Sequence, residues 1–241
     1  MDSFTLIDNV EKLCVNNLMC LFDRCARLLR PFLRGTTFAL DSTLIETKDD
    51  FPGCGKTKRK KEGQENTASQ VIYGFKLFAL YEVRSRIKIA ISIVPANESD
   101  HNHFLPVIQK GIQNIGKERI KLILADRGFL NGEQMWELKH KLGIDFIIPA
   151  KADMIVREDA IGLRSEYEKD PKNFVEWPYG KGKSSGYGVE GLLSYKAYSR
   201  AGTQDNRKTN ASPINAVVVT KWRGKSIHPG EEKVLLTSLS T

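Results

Sequence analysis

The sequence predicts an α/β protein in which a mixed sheet is flanked by helices and followed, after its fifth strand, by a β-rich region. Three observations lead there. Up to Ala150, apolar stretches switch between a period of two and a period near 3.6. Two short apolar runs, Thr36 to Leu40 and Lys121 to Ala125, each end at an aspartate, Asp41 and Asp126. Beyond Lys151 the texture changes to short β-like pieces separated by loops of Gly, Lys and Ser.

From Asn9 to Arg30, residues such as Val10, Leu13, Leu18, Leu21, Cys25 and Leu28 recur at helical spacing until Pro31, which makes 1–35 an amino-terminal helical segment. The core spans 36–150. Its first strand ends at Asp41, and the polar, glycine-containing stretch Thr47 to Ser69 reads as a loop. Tyr73 to Tyr81 and the alternating Ile87 to Val94 are strands, joined into a hairpin by Glu82 to Arg86. Phe104, Val107, Ile108, Gly111, Ile112 and Ile115 share a helical face, with the helix beginning near Pro106. After the strand that leads to Asp126, Asn131 reads as an N-cap, Gln134 as its capping-box partner and Gly143 as the left-handed terminator. Asp145 to Pro149 is the fifth strand. A meander followed by two right-handed crossovers makes the early strands antiparallel and the later ones parallel, with the first strand beside the fourth. In 151–241 the β-like pieces are Phe174 to Trp177, Gly191 to Ser199, Asn215 to Trp222 and Lys233 to Ser238, with no helix longer than three turns.

The 37 basic residues outnumber the 29 acidic ones, giving +8 over 241 residues, a balance that favours a polyanion such as nucleic acid as partner. No apolar run approaches the ~20 residues of a membrane span, and Met1-Asp2-Ser3-Phe4 lacks the basic flank of a signal peptide, so the expected setting is cytoplasmic. Cys14, Cys20, Cys25 and Cys54 have no CxxC spacing and read as reduced thiols.

Asp41 and Asp126 are the candidate site. An acid ending a buried strand costs solvation energy unless a cation or hydrogen bonds offset it, and two acids on adjacent strand ends repel unless a cation lies between them. Magnesium or manganese suits carboxylate oxygens, and an ion pair there can activate a water or hydroxyl for phosphodiester cleavage. On spacing alone another reading stays open, with Asp41 capping a turn through Ser42 or Thr43 and Asp126 pairing with Arg127.

Four stretches make the reading specific: Ala39-Leu40-Asp41-Ser42-Thr43, Tyr73-Gly74-Phe75-Lys76, Pro95-Ala96-Asn97-Glu98-Ser99-Asp100 and Leu124-Ala125-Asp126-Arg127-Gly128-Phe129. In that order they resemble the signatures of DDE transposases of bacterial insertion sequences, in the ribonuclease-H-like superfamily, across roughly Phe38 to Lys151. The resemblance implies a ribonuclease-H-like core with a β-rich insertion. It implies Asp41 and Asp126 as the first two catalytic and metal-binding acids, with Mg2+ or Mn2+ as cofactor. The implied activity is cleavage of transposon ends and strand transfer into target DNA. Asp100, at the start of a helix, reads as a cap with a supporting active-site role as the alternative. The family's third acid is a glutamate on a helix after the inserted region, and Val234 to Thr241 resembles the strand before that helix. The expectation is therefore a chain truncated before the glutamate and inactive by itself. Glu231 and Glu232, in a Pro-Gly turn, are poor substitutes. A catalytically dead DNA-binding remnant and a metal-dependent nuclease of the same superfamily are the alternatives.

Double-stranded DNA, transposon ends and target alike, is the expected partner, with a homodimer left open and association with the nucleoid following from it. Lys56, Lys58, Arg59, Lys60 and Lys61 could grip phosphates from a loop near Asp41, and Lys76, Arg127 and Lys151 could position the scissile strand. Trp177 and Trp222 could stack on an unpaired base, but burial in the core is the expectation. His101-Asn102-His103, Gly182-Lys183-Ser184 and the GxGxxG match from Gly186 to Gly191 lack the structural context their motifs need.

Overall fold

The computed structural model describes residues 15–49, 51–59, 70–169, 172–179, 182–200, 211–223, 226–227 and 232–240. The start of the expected first helix, Cys14, Lys60, Lys61, the His228–Gly230 turn and Glu231 lie outside them. The chain divides into two compact units, one formed by residues 1–38, 42–97 and 106–120, the other by 39–41, 98–105 and 121–241.

In the first unit, helix α1 (Val15–Leu28) ends before a 3-10 turn, Arg30–Phe32, that holds Pro31. Strand β1 (Thr37–Glu46) lies beside β3 (Gln70–Glu82), and β3 pairs antiparallel with both β2 (Gly55–Arg59) and β4 (Lys88–Pro95). These two share one strand in succession: Gly55 stands opposite Gly74, and Phe75 opposite Pro95. Gly55 sits at the handover, where a Cβ would come within 2.2 Å of Asn97 Oδ1 and 2.5 Å of the Ala96 nitrogen. The expected loop after the first strand thus contains a strand that its lysines disguised, since pairing with β3 supplies what a polar sequence does not advertise. Helix α2 (Phe104–Ile115) buries Val107, Ile108 and Ile115 along the predicted face. Buried Asn114 ties the layers together, donating from Nδ2 to the Ile89 carbonyl at 2.8 Å and to Asp23 of α1 at 3.0 Å.

In the second unit the strand order is β1, β5 (Leu122–Ala125), β6 (Asp145–Pro149), β11 (Lys233–Thr237), β9 (Ile214–Arg223), β8 (Gly182–Leu192) and β7 (Phe174–Tyr179), with the short β10 (Ser226–Ile227) on β9. The first strand is beside the fourth strand read from the sequence, as expected. β5 and β6 are parallel, while the strands from β11 outward are antiparallel. Helix α3 (Gly132–His140) is capped by Asn131, whose side chain accepts from the Gln134 nitrogen at 3.1 Å, and Gly143 takes the left-handed conformation at φ 64°. Gln134 does not complete a reciprocal capping box; its Oε1 instead accepts from the Leu105 nitrogen at 3.4 Å. Helices α4 (Ile155–Gly162) and α5 (Arg164–Tyr167) were not expected, though neither exceeds three turns. α4 buries Val156 and Ala160, and the Tyr187 hydroxyl donates to the Ala160 carbonyl at 3.0 Å.

Three expectations fail in this region. Residues 182–192 form a strand although four glycines mark them as loop, and most of Gly191 to Ser199 is irregular rather than a strand. The glycines have a packing reason. Trp177 lies over Gly186, with ring carbons 3.1 and 3.3 Å from where a Cβ would stand, so β8 presents a flat floor to the indole. Trp177 is 37% exposed rather than a core residue. The side chain of Trp222 lies outside the described residues.

Candidate active site

The alternation of β1 buries Phe38 and Leu40 and leaves Asp41 on the other side of the strand, exposed. The strand runs on to Glu46, so Asp41 stands within it and not at its end. Ser42 and Thr43 looked like a turn, yet the burial alternation of the strand continues through them, with Ser42 and Leu44 half-buried and Thr43 and Ile45 exposed. Residues 39–41 alone of β1 belong to the second unit, on the strand that neighbours β5.

Asp126 follows β5 directly and is the N-cap of a 3-10 turn, Arg127–Phe129. Its Oδ1 accepts from the Gly128 nitrogen at 2.7 Å, which fixes the carboxylate from within its own turn. Phe129 anchors that turn in the core, fully buried, with its ring centroid 6.3 Å from that of Phe104. Asp126 is exposed, so its carboxylate is held in place yet open to solvent.

Asp100 joins it. It opens a 3-10 turn, Asp100–His103, whose N-cap position is Ser99 rather than Asp100. A Cβ on Gly128 would lie 2.8 Å from Asp100 Oδ2 and 2.9 Å from Asp126 Oδ1. Both carboxylates therefore close on one point, and only glycine leaves them room. The sequence offered Asp100 as a cap first; the glycine two residues after Asp126 was the signal for the closer arrangement.

Beside Asp126 a cleft of about 480 Å3 is lined also by Arg127, Ala150, Arg157, Glu232 and Lys233. Arg157 donates from Nη2 to the Glu232 carbonyl at 3.3 Å, and the Glu232 carboxylate pairs with Arg164 at 3.2 Å. Lys151 is exposed just after β6. Arg157 and Lys233 were not singled out in the sequence, because cations on a helix and on a strand end look like solvated positions. Lys56, Lys58 and Lys76 belong to the first unit. Lys56 and Lys58 are exposed on β2, with Lys56 Nζ 5.9 Å from the Tyr73 ring centre, and Lys76 is half-buried on β3. The backbone of Arg59 pairs with Gln70, while its side chain is outside the description.

Among the described residues, no group of three His, Cys, Asp or Glu side chains is gathered closely enough to hold an ion by itself. The donors near Gly128 are nonetheless all carboxylate oxygens, the set that fits a hard divalent ion whose remaining positions are filled by water or phosphate. Also among the described residues, no helix is long and apolar enough to cross a membrane.

Residues 33–218 match the transposase DDE domain family. The chain belongs to that family. The observed strand order gives the mixed sheet flanked by helices that the sequence predicted. A search of curated proteins finds no match. One solved structure with a similar chain is the cryo-EM structure of the piggyBac transposase synaptic complex with hairpin DNA, at a TM-score of 0.42 and 9% sequence identity. The match covers 86% of this chain and 34% of that one, so this chain spans about a third of its length.

Proposed function

We propose that this DDE-domain chain supplies the catalytic core of a DNA transposase that cuts insertion-sequence ends and joins them to target DNA. Asp41 and Asp126 are its first two catalytic carboxylates, and Asp100 supports them. The observation that carries the reading is the convergence of Asp100 and Asp126 on Gly128, next to the strand that bears Asp41. Mg2+ or Mn2+, when bound there, supplies Lewis-acid activation of the attacking oxygen and stabilises the leaving one.

The chain's own residues position the nucleic acid. Arg127 flanks Asp126 in the cleft, Arg157 and Lys233 add charge to its wall, and Lys151 follows β6. A phosphodiester entering the cleft would meet cations around an otherwise repulsive carboxylate group. Lys56, Lys58, Arg59 and Lys76 of the other unit add contacts to backbone phosphates. Water and then a 3′ hydroxyl are the successive nucleophiles. Such a chain works where DNA is, in the cytoplasm at the nucleoid, and a homodimer would handle two ends.

The test has two readouts on the full chain. Calorimetry with manganese should give binding that Asp126→Asn abolishes, and on a duplex carrying the flanking terminal repeats the chain by itself should cleave near background, any nicking requiring Mg2+ or Mn2+. Manganese affinity unchanged in Asp126→Asn would overturn the site. Binding of DNA without binding of manganese would reduce the chain to a DNA-binding remnant, and robust cleavage without strand transfer would make it a nuclease.

A further inference from the structure

The first unit carries a second charged feature that the reading above does not use. Arg34 follows the Arg30–Phe32 turn, and Arg84 and Arg86 sit on the tip of the β3–β4 hairpin. All three are exposed. One buried residue draws them together, its carboxylate holding Arg34 and Arg84 and its backbone carbonyl accepting from the Arg86 nitrogen at 2.8 Å. Glu82, fully buried, accepts from the backbone nitrogens of Arg34 at 3.2 Å, Arg84 at 2.8 Å and Ser85 at 2.8 Å. Its charge is thus satisfied by backbone N–H groups, which leaves the guanidiniums to the surface. Arg84 Cδ stands only 3.6 Å from where a Cβ on Gly35 would be, so its side chain runs alongside the residue after Arg34. Between the turn and the hairpin tip lies a cleft of about 440 Å3 lined by Arg34, Arg84 and Ser85 among others.

Arg86 adds an independent observation. Its φ is 59°, and it is the one non-glycine residue with positive φ among those described. That conformation suits glycine or asparagine, and here it closes the hairpin, the Arg86 nitrogen donating to the Glu82 carbonyl at 2.8 Å, so the backbone sets where Arg86 leaves the tip. Three exposed arginines thus stand on two neighbouring turns, two of them lining one cleft, an arrangement that solvation alone does not require. Guanidinium groups gathered around one cleft offer forked donors to the oxygens of phosphates.

We propose that Arg34, Arg84 and Arg86, arranged by Glu82, form a clamp for the phosphate backbone of double-stranded DNA. The clamp reads no sequence; it supplies affinity and fixes how the duplex lies on this unit. It rests on the reading of the chain as a DNA-acting protein, and the experiment separates the two.

Fluorescence anisotropy of a 30-base-pair duplex of arbitrary sequence, titrated with the full chain at several KCl concentrations, gives the slope of log affinity against log salt. Each neutralised phosphate contributes about −0.9 to it. Arg34→Ala with Arg84→Ala should flatten the slope by about 1.8, and Arg86→Gly by about 0.9. The melting temperature of Arg86→Gly should hold or rise, because glycine suits that backbone. Arg34→Lys with Arg84→Lys should keep the slope. Variants that melt like the wild type yet keep its slope would overturn the clamp while leaving DNA binding intact. Competition by polyglutamate as strong as by duplex would overturn DNA as its partner. A wild-type chain with no salt-dependent binding would remove the DNA reading itself, and the clamp with it.

Discussion

Replacing Gly128 with alanine inserts one methyl group between two carboxylates. The new Cβ would lie 2.8 Å from Asp100 Oδ2 and 2.9 Å from Asp126 Oδ1, where ordinary contact begins near 3.4 Å, so each oxygen must retreat by about half an ångström. The backbone itself accepts alanine, since Gly128 is not among the glycines with positive φ. Both clashing atoms are ends of side chains, which move readily; the fold should lose less than about 1 kcal/mol, below the 1–3 kcal/mol of overpacking a closed core. What must give is the 2.7 Å hydrogen bond from the Gly128 nitrogen to Asp126 and the shared aim of the two carboxylates. Losing that bond costs about 1 kcal/mol, so manganese affinity should fall five- to tenfold. Calorimetry gives the affinity and a urea melt the stability. Gly143→Ala is the counterpart: at φ 64° with nothing near its Cβ, it should lose about 1–2 kcal/mol of stability and no metal affinity. If Gly128→Ala binds manganese as the wild type does, the two carboxylates are not a shared site.

The other outcomes concern the frame around it. Glu82 is buried, which works to raise its pKa, but its hydrogen bonds from the Ser85 hydroxyl and the Arg84, Ser85 and Arg34 nitrogens outweigh burial and hold it at about 2 against the ordinary 4.5. With the folded value the lower one, its contribution, on the order of 3 kcal/mol, is complete above about pH 4.5 and lost as pH falls toward 2. The stability gap between wild type and Glu82→Gln in urea should therefore shrink with acid; a gap independent of pH would refute the assignment. Gly74→Ala would set a Cβ 2.0 Å from the Ile45 carbonyl oxygen, a backbone atom that cannot step aside, so a loss above about 3 kcal/mol or outright failure to fold is expected in thermal melts. Asn131→Ala removes the N-cap of α3 and should lower the unfolding free energy by about 1 kcal/mol.

Much of this was legible because the decisive signals were local. The period of two in Ile87 to Val94, the Asn131 cap and Gly143 are each fixed by neighbours within a few residues, and each stands where it was expected. What escaped depends on pairing across distance. β2 is polar and is a strand because β3 offers it partners; β8 is glycine-rich and is a strand because Trp177 needs its bare floor. Asp41 and Asp126 were found as ends of apolar runs, although β1 in fact continues past Asp41. Asp100 was ambiguous in one dimension because its meeting with Asp126 is arranged through a glycine, a residue that signals by what it lacks.

Glu232 shows why nearness to Asp126 does not make a ligand. It lines the same cleft, and its side chain is largely shielded from water, so it looks at first like a third acid for the site. Yet Oε1 receives Arg164 Nη1 at 3.2 Å, and the Glu232 backbone carbonyl receives Arg157 at 3.3 Å. Arg164 is itself only 14% exposed on its side chain. A divalent ion recruiting that carboxylate would take one of two carboxylates from a shielded guanidinium, leaving Glu168 on its Nε, which costs more than breaking a surface pair. The ion would then have to bind well enough to offset the loss before contributing any chemistry. Glu232 is better understood as the tie between α5 and the start of β11. By holding that edge of the cleft it keeps Arg157 and Lys233 where a phosphate approaching Asp126 would meet them.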